Sequence, residues 1–251
     1  MLIVGNDVVD LGDPRVLGKA KDTRFLGRIF SEEERAAVVN TANPDLELWQ
    51  RWAAKETAYK AVSKLRGTPP TFAHRAFVVS WSHASGHESG PGLRTGSVRY
   101  DSTVVHIEAA WDRDTVHAIG WVGGGEDERP SSGLARLDEA DAAWSGELKD
   151  LEQKLTPREL DAVHSRASLA VRIAARGAMA EALGVDEHRL EIVCAPGKPG
   201  RRPPAVLLDG EGEAVDVSLS HDGDWIAWAF AVEAGRPVPT PRGSTARSAD
   251  S

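Results

Sequence analysis

The sequence predicts an α+β protein built from two similar subdomains, each a helix packed on an antiparallel sheet, related by a pseudo-twofold axis. Three observations predict it. First, "LWQRWAAKETAYKAV" (48–62) aligns without a gap on "LAVRIAARGAMAEAL" (169–183), placing Arg51-Trp-Ala-Ala-Lys55 over Arg172-Ile-Ala-Ala-Arg176. Second, each unit closes on a strand, a polar turn and a strand, "VVHIEAAWDRDTVHAIGWV" (104–122) and "AVDVSLSHDGDWIAWAFAV" (214–232), with an Asp-x-Asp turn at 112–114 and 222–224. Third, "GGGEDERPSSG" (123–133) mixes glycine, proline, serine and charge, as an exposed linker does. The linker is drawn at 123–137, between a first unit of 1–122 and a second of 138–233. Residues 234–251 lack apolar periodicity and are expected to form a disordered tail. A duplicated chain of this kind packs as a pseudo-dimer and offers a cleft at its junction.

The elements follow in order. Leu2, Ile3, Val4, Val8, Val9 and Leu11 predict a first strand, yet "GNDVVDL" (5–11) sets Asp7 and Asp10 on it. Two readings stay open: a turn at Asp10-Leu-Gly-Asp-Pro14, or a metal site. "IFSEEERAAV" (29–38) precedes the first long helix, as "KLTPRELDAV" (154–163) precedes the second. The first helix is predicted from Asp45 to Leu65, with Pro44 before it, Asp45 as N-cap or first-turn acid, and Gly67-Thr-Pro-Pro to end it. Trp49, Trp52, Ala53, Glu56 and Lys60 share one side of that helix, and Lys55 lies well round from Glu56. Glu56 and Lys60 read either as a solvated i,i+4 pair or, beside two tryptophans, as part of a shielded site. "WSHASGH" (81–87), in a Ser/Gly-rich stretch running to Gly96, reads as loop.

The two units differ in a complementary way. The first carries Lys55, Glu56 and Lys60 where the second has Arg176, Gly177 and Glu181. The second carries "SLSHDG" (218–223), either an ordinary hairpin turn or a polar cradle for an anion, where the first has "EAAWDR". From Ile192 to Leu208 there are three bases (Lys198, Arg201, Arg202) and no acid, and Arg166, Arg172 and Arg176 precede them. Such a patch suits a phosphorylated small molecule, or is simple surface charge.

The totals bound the rest. The chain has 251 residues, 41% hydrophobic, with a formal charge of −8, which argues against broad nucleic-acid binding. Cys194 is the sole cysteine, so neither a disulfide frame nor a cysteine zinc site is expected. No membrane span and no signal peptide is visible, and a cytoplasmic protein is expected.

Taken together, the motifs resemble the 4′-phosphopantetheinyl transferases. They are G-x-D near an acid (Gly5, Asp7, Asp10), F-[ST]-x-x-E (Phe30, Ser31, Glu34), W-x-x-K-E-x-x-x-K (Trp52, Lys55, Glu56, Lys60), G-K-P (Gly197 to Pro199) and S-x-S-H-x-G (Ser218 to Gly223). The likeness is to the duplicated, monomeric type that activates non-ribosomal peptide and polyketide synthases, rather than to the smaller trimeric type of fatty-acid synthesis. Two departures stand out. The G-K-P and S-H half usually comes first and here comes second, as in a circular permutation of the halves. The second acid usually lies two residues after the first, where this chain has Val9; Asp10 is three on, as in the trimeric type.

The resemblance implies a reaction and roles. A serine of an apo acyl or peptidyl carrier protein would attack the β-phosphorus of coenzyme A, take the phosphopantetheine and release 3′,5′-ADP. Mg2+ would be held by Asp7, Glu56 and Asp10. Lys60 would contact phosphate and help orient or deprotonate the serine, with Glu56, Glu34 or a metal-bound water as base. Ser220, His221, Lys198 and Arg166 would hold the 3′-phosphate, adenine and pyrophosphate. A basic rim for an acidic carrier domain would include Arg24 and Arg28. Other classes are a non-catalytic module binding coenzyme A or a carrier protein, and a magnesium-dependent hydrolase of nucleotide diphosphates.

Overall fold

The structure is a computed structural model describing residues 1–71, 73–86, 90–125, 128–138, 152–194, 203–212 and 215–233. It is a mixed helix and antiparallel-sheet protein, the predicted α+β class. The first sheet has the order β1 (Ile3–Asp10), β5 (Thr115–Val122), β4 (Thr103–Trp111), β3 (Gly92–Tyr100), β2 (Val78–Gly86). Helices α1 (Thr23–Ile29), α2 (Glu32–Val39) and α3 (Pro44–Arg66) accompany it. In the remainder, α4 (Pro157–Leu160) and α5 (Arg166–Leu183) accompany two three-stranded sheets. These are β10 (Val215–Asp222), β11 (Trp225–Val232), β6 (Ser131–Arg136), and β7 (Leu190–Val193), β8 (Ala205–Leu208), β9 (Glu211–Gly212). No helix among the described residues is long and apolar enough to cross a membrane.

Helix α3 begins and ends where local chemistry dictates. Asn43, not Asp45, is the N-cap, its side chain accepting the Leu46 N–H at 3.2 Å, and Pro44 opens the first turn. Asp45 instead accepts the N–H groups of Gly18 and Ala20, tying the chain before α1 to the helix. Gly67 closes it in the left-handed region at φ 67°. The buried face is smooth: Ala53, Ala54, Ala58 and Ala61 are fully buried and pack on the first sheet.

The approach is closest over a glycine pair. Gly5 and Gly120 lie opposite each other on β1 and β5. A Cβ on Gly5 would overlap the Thr57 carbonyl, and one on Gly120 would sit 2.8 Å from Thr57 Cγ2. This contact lowers the next residues of α3, Glu56 and Lys60, onto Asp7. Gly5→Ala should therefore cost about 2–3 kcal/mol and reduce activity by lifting α3; an unchanged urea midpoint would show that the close approach is not required.

Two features repeat between the halves. In the first, Ser31 and Glu34 form a capping box on α2, and Glu34 also accepts the Lys55 ammonium (2.8 Å) and the Val79 N–H (3.0 Å). In the second, Thr156 and Glu159 form a capping box on α4, and Glu159 accepts Arg176 (2.9 Å) and the Ile192 N–H (2.9 Å). The strand run β1-β5-β4 also has a counterpart in β6-β11-β10.

That second parallel changes the reading of the linker, since residues 131–136 are a strand paired to β11. Gly133 is there because Trp228 packs against it and leaves no room for a Cβ, rather than for chain flexibility. The stretch read as loop up to Gly96 is likewise strand in β2 and most of β3. Gly96 belongs in the ladder because a side chain would strike the Ser80 carbonyl and Trp81. The predicted tail and most of 138–151 lie outside the described residues.

The halves meet along one seam. The β1 edge not paired to β5 has the N–H groups of Val4, Asn6, Val8 and Asp10, and each donates to a β10 side chain. The acceptors are Asp216 (2.6 Å), Ser218 (3.0 Å), Ser220 (3.3 Å) and Asp222 (2.9 Å), all 212 residues on. Leu2, Val4 and Trp121 pack against Ala229 and Ala231 beneath it.

Candidate active site

A cleft of about 390 Å³ opens at this seam, with walls from both halves. Asp7, Val9, Trp49, Trp52 and Glu56 come from the first half, His221 and Asp222 from the second. Asp7 is central. Its Oδ1 accepts the Lys60 ammonium (3.0 Å) and the Ser220 hydroxyl (3.0 Å), and Lys60 also donates to the Asn6 carbonyl (2.8 Å). The cross-half contact between Asp7 and Ser220 joins the two motifs that the sequence sets furthest apart.

Glu56 shares the cleft. Burial pushes its carboxyl up to about 7, the Asp7 charge adds to the rise, and Lys60 opposes it. A second carboxylate so close to the shielded Glu56 fits a cation between them. Asp7 and Glu56 suit Mg2+, which keeps water and takes substrate oxygens beyond one or two carboxylates. Among the described residues no three His, Cys, Asp or Glu side chains form a closed metal cage.

Asp10 is not with them. A three-residue offset on a strand turns its side chain to the face opposite Asp7. There its oxygens accept the N–H groups of Gly12 (2.9 Å) and Asp224 (3.1 Å), joining the seam to the turn after β10. Both oxygens of the Asp10 carboxylate are engaged at that turn. Gly223, at φ 51°, leaves space that a Cβ would take from the Asp10 carboxylate.

Glu34, a predicted candidate base, is 3% exposed. Its oxygens hold Ser31, Lys55 and Val79. Glu159 has a matching network in a half without the carboxylate pair.

Of the other predicted residues, His221 lines the cleft, its ring 5.8 Å from that of His164. Arg166 is the exposed first residue of α5. Lys198, Arg201 and Arg202 lie outside the described residues. Arg24 and Arg28 are exposed on α1, whose Phe25 stacks on Trp52 at 5.8 Å.

His74 was not foreseen. It stacks on Trp52 (5.0 Å between centroids), with Nε2 3.7 Å from Glu56. Desolvation, then the charges of Lys55 and Arg28, lower its pKa and favour the neutral ring. Its position after Thr-Pro-Pro gave no periodic signal.

Residues 3–112 match the family model of the 4′-phosphopantetheinyl transferase superfamily. This segment is what makes the chain similar to that superfamily. The segment contains Asp7, Glu56 and Lys60, so the carboxylate side of the cleft lies within the matched stretch. A holo-[acyl-carrier-protein] synthase of Protochlamydia amoebophila (strain UWE25) is 36% identical over 59 residues, covering 24% of this chain and 48% of that protein. The chain thus spans about half the length of the curated relative it matches.

Proposed function

We propose that this chain transfers 4′-phosphopantetheine from coenzyme A to a serine of an apo carrier protein. The observation that carries the reading is one cleft lined by Asp7, Glu56 and His221, with Lys60 and Ser220 both bonded to Asp7, in a chain similar to such transferases. The repeated capping-box networks and strand run support a duplicated unit, with its halves in permuted order and working as a monomer.

In this reading Ser220, His221, Arg166 and Lys198 hold the nucleotide end of coenzyme A. Asp7 and Glu56 hold Mg2+, which when bound neutralises pyrophosphate charge. Lys60, fixed by Asp7 and the Asn6 carbonyl, donates to a phosphate oxygen and keeps the β-phosphorus in line with the incoming hydroxyl. The serine Oγ–phosphorus bond forms, the phosphorus–oxygen bond to the nucleotide breaks, and 3′,5′-ADP leaves with the electron pair. The serine proton passes to a base in the cleft. The exposed Arg24 and Arg28, beside the Phe25–Trp52 wall, suit an acidic carrier surface.

Intact-mass spectrometry of apo carrier domains, incubated with the chain, coenzyme A and Mg2+, tests this. The expected result is a gain of one phosphopantetheine, lost on chelation. No gain across several carrier types, with coenzyme A bound and intact, would favour the binding module. Consumption of coenzyme A without carrier would favour the hydrolase.

A further inference from the structure

Lys64 takes no part in the cleft. It lies one turn beyond Lys60 and two beyond Glu56, so the three form a column on one side of α3. Its ammonium crosses to the other half, donating to the Asp216 carboxylate (2.5 Å) and the Val217 carbonyl (3.0 Å). Asp216 also accepts the Val4 N–H. One carboxylate thereby ties α3, β1 and β10 together, with the two side chains 9% and 15% exposed.

The rest of the ladder is nearly blind to register. Slide β10 by two residues along β1, and Asp216 would face Asn6, Ser218 would face Val8 and Ser220 would face Asp10. Three of the four N–H groups would keep an acceptor. Lys64 cannot follow, because α3 is held over the Gly5–Gly120 pair. The same slip would carry Asp216 about 6.6 Å from it. The near end of the seam is pinned by Asp10 and the Asp224 N–H, the far end by Lys64 and Asp216.

We propose that Lys64 and Asp216 are positioning residues: their pair fixes how far β10 lies along β1, and so which hydroxyl of β10 meets Asp7. The proposal rests on the transferase reading, in which both halves grip one coenzyme A.

The test is the double variant Lys64→Met/Asp216→Asn, which leaves no orphaned charge and keeps an oxygen for the Val4 N–H. Calorimetry should show 3′,5′-ADP, which depends chiefly on the second half, binding within about twofold of wild type. Coenzyme A, which spans both halves, should bind about tenfold more weakly, and carrier transfer at saturating coenzyme A should fall about tenfold to a hundredfold. Lys64→Arg in the wild-type background should keep most of both. Wild-type transfer and coenzyme A binding in the double variant would overturn the proposal. So would a parallel loss of both nucleotides with a lowered melting temperature, which would mark the pair as structural only. A wild-type chain that binds coenzyme A without transferring it would sink the transferase reading, while the two affinities still test the register. Failure of the wild-type chain to bind coenzyme A at all would overturn both.

Discussion

Glu56→Gln is expected to reduce transfer by about a thousandfold or more while making the metal-free protein more stable at pH 8. Both effects come from one carboxylate. Its folded pKa is about 7, against an ordinary value of 4.5. Between those values the folded chain keeps a proton that the unfolded chain releases, so stability falls as pH rises through the window. Above pH 7 the ionised, shielded Glu56 costs about 3 kcal/mol. The amide removes that cost, so in chelator the variant should melt several degrees above wild type at pH 8 and near it at pH 4.5. Adding Mg2+ should raise the wild-type melting temperature and leave the variant nearly unmoved. A variant less stable than wild type at pH 8 without metal would mean that Glu56 is a structural group.

The second large effect lies one residue away. Lys55 is fully buried and donates to Glu34 and to the carbonyls of His74 and Phe77. Desolvation lowers its pKa, with Glu34 opposing the shift. Lys55→Met takes the counter-charge from the buried Glu34 carboxylate, and should cost about 3–5 kcal/mol by urea denaturation. Glu34→Gln should also destabilise, while the folded fraction retains transfer within about tenfold. Wild-type stability with abolished transfer would return Glu34 to the chemistry. Neighbours in the motif thus have opposite fates on losing a charge: Glu56 works against the fold, and Lys55 holds it.

How much of this was legible follows from how local each signal is. The span of α3 could be read because Pro44 and Gly67 punctuate it, and the β10–β11 hairpin because Asp222 to Trp225 encode a turn. Lys55 over Arg176 was visible in the alignment, and the two side chains bond to Glu34 and Glu159 in matching networks. The strands β2, β3 and β6 were hidden by serines and glycines whose reasons are tertiary, such as Trp81 against Gly96 and Trp228 against Gly133. The separation of Asp10 from Asp7 follows only once the strand is formed, since a three-residue offset puts the two acids on opposite faces. The seam was beyond reach, since nothing local connects residues 212 apart, and His74 meets Trp52 only after the chain has turned back.

The side-chain ladder on β1 has a consequence for association. An uncovered strand edge offers its N–H groups to any passing chain, and proteins cover, charge or pair such edges to stay soluble. Here the covering strand gives side chains instead of backbone acceptors: two hydroxyls and two carboxylates of β10 occupy the donors one by one. A molecule made of the first unit alone would still need acceptors for those four groups, and another copy of itself would be the nearest source. Residues 215–222 thus supply, within one chain, the acceptors that this edge would otherwise have to find by assembling.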